Sequence, residues 1–155
     1  MIVAHQWLRE FVPGAPEADR LAQLLTLAGL EVDGTERAGP ALPGVVVAEV
    51  IGLEPHPDAD RLRVATVDAG QGAPLTIVCG APNVGVGMKA PLATVGATLP
   101  NGTIIAPAKL RGVASSGMLC SAAELGLADA ADGLLELPAA AVNGMPVEAA
   151  LALEI

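Results

Sequence analysis

From Val45 onward the chain is a series of short Val/Ile/Leu-rich runs, and glycine or proline breaks the chain between them. That punctuation limits what the chain can fold into. Val45–Ile51, Leu62–Val67 and Leu75–Val78 are three such runs, residues 90–95 and 103–106 are two more, and Leu134–Leu137 is a last one closed by Pro138. Runs of this length with β-branched enrichment and turn residues between them predict strands. Gly70-Gln71-Gly72 supplies the turn between the second and third. Pro100-Asn101-Gly102 supplies the one between the fourth and fifth, because Asn-Gly favours positive φ. Ser121-x-x-Glu124 has the form of a capping box, predicting one short helix that stops at Gly126. About five short strands and one brief helix fit a small closed barrel.

The first 38 residues have another texture. Trp7, Leu8 and Phe11 form an apolar face at helical spacing, and Pro13-Gly14 ends it. Pro16 suits the first turn of a second helix, whose Leu21, Leu24, Leu25 and Ala28 recur at i, i+3, i+4 and i+7 before Gly29. Residues 30–36 alternate weakly, as a short strand does. Gly39–Gly44 reads as a linker, and Pro146 as the start of a last helix.

Several function classes drop out on composition. The stretch 69–88 has no charge, but its glycines and prolines rule out a membrane helix. The N-terminus lacks the basic lead and long apolar run of a signal peptide. Cys79 and Cys120 stand alone, without CxxC spacing, and are expected as buried free thiols of a cytoplasmic chain. Neither they nor His5 and His56 have ligand spacing, so no metal site is expected. No phosphate-loop or nucleophile-elbow motif is present. The net charge is −9, but it is unevenly spread. Between Arg61 and Ala123 the only charges are Arg61, Arg63, Asp68, Lys89, Lys109 and Arg111, a local balance of +4 against −13 elsewhere. A basic middle between acidic flanks points to an anion-facing surface.

Two strings frame that middle: His56-Pro57-Asp58-Ala59-Asp60-Arg61-Leu62, and residues 109–126, KLRGVASSGMLCSAAELG. Arg61 and Arg63 are spaced to share one strand face, and Lys109 and Arg111 repeat the spacing. On adjacent strands the two pairs make a positive groove for phosphates, with Lys89 as a fifth contact. Ser116 is either a turn residue or a donor to a bound phosphate. Met118 is either core or part of that site. Asn83, after Pro82, is either a turn residue or a contact to the same bound anion. His56 reads as a turn residue held between prolines, with no nucleophile beside it to act as a base for. The chain's aromatic side chains, Trp7 and Phe11, both precede the barrel. Without rings to stack bases, the barrel is expected to hold a polyanion through its phosphates, weakly and with steep salt dependence.

Gln6-Trp7-Leu8-Arg9-Glu10, Leu27-Ala28-Gly29-Leu30-Glu31-Val32-Asp33, the 56–62 turn, Cys79-Gly80-Ala81-Pro82-Asn83 and the 109–126 string occur in this order. Together they resemble the N-terminal region of the bacterial phenylalanyl-tRNA synthetase beta subunit over essentially the whole chain. Residues 40–150 also resemble the tRNA-binding OB domain of free-standing tRNA-binding proteins. The resemblance implies an α+β, mainly β chain in which an OB-fold barrel is inserted into a small α/β domain. The expected parts are an N-terminal α/β segment at 1–38, the tRNA-binding OB domain at 39–147 and the start of a returning segment at 148–155. It implies a non-catalytic N-terminal piece of a longer, cytoplasmic, α2β2 ligase that charges tRNA with phenylalanine. The alpha subunit and the rest of the beta subunit would be its partners alongside tRNA, with no membrane. ATP and Mg2+ belong to the full enzyme, and this piece needs no cofactor of its own. Two other readings remain open: a docking module with little RNA contact, and a free-standing tRNA-binding protein.

Overall fold

The structure is a computed structural model that describes residues 1–36 and 39–151. It divides into an N-terminal unit ending at Gly39 and a barrel unit spanning Pro40–Leu151. In the first unit, α1 (His5–Phe11) and α2 (Ala18–Leu27) form at the expected periodic segments. Gly29 follows α2 with φ 94°, the left-handed turn that ends a helix. Trp7 and Phe11, one helical turn apart, meet edge to face with centroids 5.5 Å apart. Residues 30–36 are irregular, not the short strand that weak alternation suggested.

The barrel is built around β1 (Val45–Pro55), which is too long and too bent to serve one partner. Its first half pairs with β4 (Lys89–Thr94) and its second half with β2 (Arg63–Asp68), both antiparallel. A bulge between Val50 and Gly52 lets one strand turn between the two pairings. β2 continues to β3 (Leu75–Cys79), and β4 to β7 (Gly117–Leu119), in the order β3-β2-β1-β4-β7. A separate hairpin joins β5 (Ala108–Leu110) to β6 (Val113–Ser115). This is a nearly closed, five-stranded antiparallel barrel of the OB type.

The core fills the barrel's inside. Ala48, Val50, Ala65, Val67, Ile77 and Leu92 are fully enclosed, and they come from alternate positions along neighbouring strands. Pro91 lies within β4, a central strand, where a missing N–H normally costs a ladder bond. Its register partner Val47 explains the tolerance. Val47 spends both its backbone bonds on the other side, donating to Met145 and accepting from Gly144. The pair is therefore non-hydrogen-bonded, and the Pro91 carbonyl faces β7, where it accepts the Cys120 N–H at 2.9 Å.

Three expected elements take other forms. Residues 103–106 contribute one bridge, Thr98 to Ile104, instead of a strand. Leu134–Leu137 stays extended but forms no ladder: Leu135 donates to Cys120, Leu137 to Lys89, and Leu134 is held by a side chain. The capping box forms reciprocally, Ser121 N–H to Glu124 at 2.7 Å and Glu124 N–H to Ser121 Oγ at 3.3 Å, yet it caps a single turn and no helix. The strands that complete the barrel are instead cut from residues 108–119, too short for periodicity to show. After Pro146 a last helix, α3 (Val147–Ala150), anchors on β1 through the enclosed Val147. Residues 152–155, most of the expected returning segment, lie outside the described residues.

Asp68 ties β2 to the segment before α3. Its carboxylate accepts the Gly70 N–H at 2.8 Å and the Asn143 amide at 3.2 Å. These bonds hold its pKa below the ordinary 3.8, the backbone bond being the larger cause. A depressed pKa stabilises the fold fully above the unfolded value and ceases to do so as pH falls through the folded value. Asp68→Asn is therefore expected to lower stability at neutral pH and to flatten the loss of stability below about pH 4 in a urea-unfolding series.

Candidate nucleic-acid interface

The two strings singled out in the sequence meet in space, and His56 joins them. Its ring is buried among backbone groups. Nε2 lies 2.9 Å from the Leu110 carbonyl, which can only accept, while the Asp58 N–H donates to Nδ1 at 3.0 Å. The bonds assign a ring protonated on Nε2, with both nitrogens occupied and neither free to act as a base. The β5–β6 hairpin is thereby fastened to the 56–62 turn, and Arg111 Nη1 adds a bond to the Asp58 carbonyl at 3.3 Å.

The hairpin tip is Arg111-Gly112, with φ of 47° and 89°. Two successive positive φ values in a two-residue loop describe the tight turn in which Asn-Gly is usual. Arg111 is, among the described residues, the one non-glycine residue with positive φ. A cation therefore occupies a backbone position that disfavours its side chain by roughly 1 kcal/mol.

The four cations do not form the two strand pairs that spacing suggested. Arg61 precedes β2 and lies in the turn, and Arg111 is beyond the end of β5. β2 and β5 belong to different sheets. Arg63 shares the inward parity of Ala65 and Val67, and its guanidinium donates to the Val84 carbonyl at 3.2 Å. What assembles Arg61, Lys109 and Arg111 is the loop-to-loop clasp. Arg61 and Lys109 have no hydrogen-bond partner among the described residues and are exposed. Asp58 and Asp60, in the same turn, offset part of this charge. Among the described residues neither forms an ion pair with it; the one salt bridge is Arg9–Glu17.

Lys89 and Asn83 have been drawn into the fold. The Lys89 ammonium donates to the Ala139 and Ala141 carbonyls, tying β4 to the later loop. The Asn83 amide accepts the Leu134 N–H at 2.8 Å and donates to its carbonyl at 3.0 Å, like a strand partner. Gly133 fits against it because a Cβ there would lie 2.3 Å from Asn83 Oδ1.

The Ser-Ser-Gly-Met turn closes the barrel. Ser116 N–H donates to Thr76 at 2.9 Å, and Ser115 Oγ accepts the Val78 N–H at 3.0 Å while donating to the Gly117 carbonyl at 3.0 Å. A hydroxyl thus stands where a strand's backbone carbonyl would be. Gly117, at φ 146°, lies so near β4 that a Cβ would meet the Ala93 carbonyl at 2.7 Å. The Ser116 side chain is exposed and Met118 is half-buried on β7. The one sequence signal that could have marked Ser115, rather than Ser116, as the structural hydroxyl is the parity it shares with Val113.

Beside the hairpin is a groove of about 720 Å³, walled by Leu62, Ile104, Leu110 and Met118, with Cys79 and Glu124 also lining it. Burial raises the pKa of Cys79, and it lifts that of Cys120 to about 12, with the Glu124 charge adding in the same direction. Among the described residues no cluster of three His, Cys, Asp or Glu side chains could hold a metal ion, and no helix is long and apolar enough to cross a membrane.

Residues 45–146 match the family described as "Putative tRNA binding domain". The chain is 58% identical over 148 residues to the phenylalanine–tRNA ligase beta subunit of Bordetella parapertussis, and 53% identical over 154 residues to that of Acinetobacter baylyi. These alignments cover 96% and 99% of this chain but 18% and 19% of the relatives, so it spans under a fifth of their length. Among solved structures it aligns with a MetRS related protein from Pyrococcus horikoshii at 25% identity and a TM-score of 0.49, over 65% of this chain and 85% of that one.

Two outcomes follow from this geometry. Ser115→Ala strands the Val78 N–H at the closure and is expected to cost about 1–3 kcal/mol in chemical unfolding; a loss under ~0.5 kcal/mol would deny the hydroxyl its role. Cys79 and Cys120 are expected to resist iodoacetamide at pH 8 in the folded protein and to react promptly in denaturant, read by mass spectrometry.

Proposed function

Since the chain belongs to the tRNA-binding domain family, we propose that its barrel holds tRNA by the phosphate backbone, at Arg61, Lys109 and Arg111. The observation that carries the reading is Arg111 at φ 47°. Asparagine or glycine would make the same turn at less cost, so the residue type is better explained by its charge than by the fold. The His56 clasp supports it further, because it holds the hairpin cations beside Arg61 at no cost to any charged group. Arg63 contributes its field from the barrel's end. Ser116 and Met118 flank the same surface.

The similarity to beta subunits supports reading the chain as the N-terminal part of a phenylalanine–tRNA ligase. In that setting the chain assists aminoacylation without a catalytic group of its own. The alpha subunit, ATP, Mg2+ and the cytoplasm are the surroundings of the whole enzyme. The barrel's part is to retain tRNA with few contacts, in a protein whose net charge of −9 opposes tight binding. That acidity, with Lys89 and Asn83 consumed internally, is what favours the second reading, a docking module that scarcely touches RNA.

Fluorescence anisotropy with tRNA between about 25 and 200 mM salt separates the two. We expect measurable affinity at the low end, falling with a log–log slope of about two to four for three or four phosphate contacts. Arg111→Asn is expected to leave stability unchanged or raise it by up to about 1 kcal/mol while reducing the slope by about one. No binding at the lowest salt, or a slope untouched by alanine at Arg61, Lys109 and Arg111 together, would sustain the docking module instead.

A further inference from the structure

The groove beside the hairpin has features that phosphate binding does not use. Its walls are largely aliphatic, and two carboxylates, Glu124 and Asp132, are among the lining residues. Ile104 is 68% exposed and Leu110 41%, so apolar surface faces solvent on both sides of the gap. Leu62 adjoins Arg61 in sequence, and Leu110 lies between Lys109 and Arg111. The apolar walls are therefore bordered by cations, two of which have no hydrogen-bond partner among the described residues. Glu124 lines the same groove. One of its oxygens, Oε2, is held by the Ser121 N–H at 2.7 Å, which fixes the carboxylate's place without neutralising it.

An occupant must accordingly be flat or apolar in body, carry N–H donors on one edge and bear a negative charge nearby. A single unstacked nucleotide has these three properties. The groove volume of about 720 Å³ is ample for one. Resting on the tRNA-binding reading, we propose that the groove receives one splayed-out base of the bound RNA. Aliphatic side chains replace the absent aromatic platform, and Glu124 accepts from an exocyclic amine. The phosphate of that nucleotide lies against Lys109 or Arg111. Uracil is disfavoured, because it presents carbonyls on either side of its one N–H and these face a carboxylate. Cytosine is favoured, because its N4 amine is a donor to a glutamate.

Cytosine and uracil have the same ring size, so a pair of RNA hexamers, all-C and all-U, isolates the edge chemistry. Binding of each to the whole chain at about 25 mM salt is the test, with tRNA measured in parallel. We expect oligo(C) to bind about threefold to tenfold more tightly than oligo(U). Glu124→Gln preserves the capping box, since glutamine serves in that position, and is expected to bring the ratio near one. Ala106→Leu places an aliphatic side chain at an exposed groove residue and is expected to weaken both hexamers while leaving the tRNA salt slope intact. Equal affinities for the two hexamers in the unmodified protein would overturn the inference. So would an unchanged ratio in Glu124→Gln, or hexamers that fail to bind while tRNA binds. Failure of tRNA itself to bind would remove the phosphate reading and this inference together.

Discussion

The barrel depends on how its open side is shut. Five strands in the order β3-β2-β1-β4-β7 leave β3 and β7 as edges, and neither is long enough to pair fully with the other. The Ser115 hydroxyl closes the gap by accepting from Val78 and donating to Gly117, with the Ser116 N–H on Thr76 beside it. An unpaired edge exposes backbone donors that water or another chain must satisfy. Here two bonds across the gap, from Ser115 and Ser116, do so, and the bond from Ser115 to Gly117 holds the hydroxyl in place. The close approach at Gly117 is the steric half of the same arrangement, because a side chain there would push β7 from β4.

Closure at that point also decides where the cations go. β6 ends at Ser115, so the hairpin that carries Lys109 and Arg111 grows directly out of the seam. Its far end would otherwise be a three-residue strand pair, too short for independent stability. His56 holds it down with neutral hydrogen bonds, leaving the charged groups exposed. Fold and candidate site are thus linked in one direction: seam, hairpin, clasp, charge. The strained tip at Arg111 is tolerable because both legs of the hairpin are secured elsewhere.

The sequence revealed the barrel's long strands and the two helices of the N-terminal unit, and it singled out the two strings without showing that they meet. Those features rest on periodicity and on turn residues whose constraints are local. β1 to β4 could be read because apolar runs of four to seven residues, bounded by turn residues, are informative in themselves. β5, β6 and β7 could not, because three-residue strands carry no period. Residues 103–106 and 134–137 look alike in composition to true strands, yet the first only folds back on residues 96–99 around a tight turn and the second meets its neighbours through scattered bonds. The basic site was half legible. Its charges stood out, but the alternation argument assigned Arg61 and Arg111 to strands when each lies in a turn. Lys89 and Asn83 matched the chemistry of RNA binding while serving carbonyls and a backbone bridge over 50 residues away, a distance no local pattern encodes. His56 was read correctly as locked, though the Leu110 carbonyl that locks it was out of reach.

The central claim is that the clasped turn and hairpin form the surface that meets RNA. A 1H–15N NMR titration of the labelled chain with tRNA at low salt tests it most directly. The account predicts shifts or broadening concentrated at the amides of Asp60 to Leu62 and Lys109 to Gly112. Amides around Lys89 and Ala141 should remain still. Perturbations centred on Lys89 or Trp7, or none at all, would contradict it.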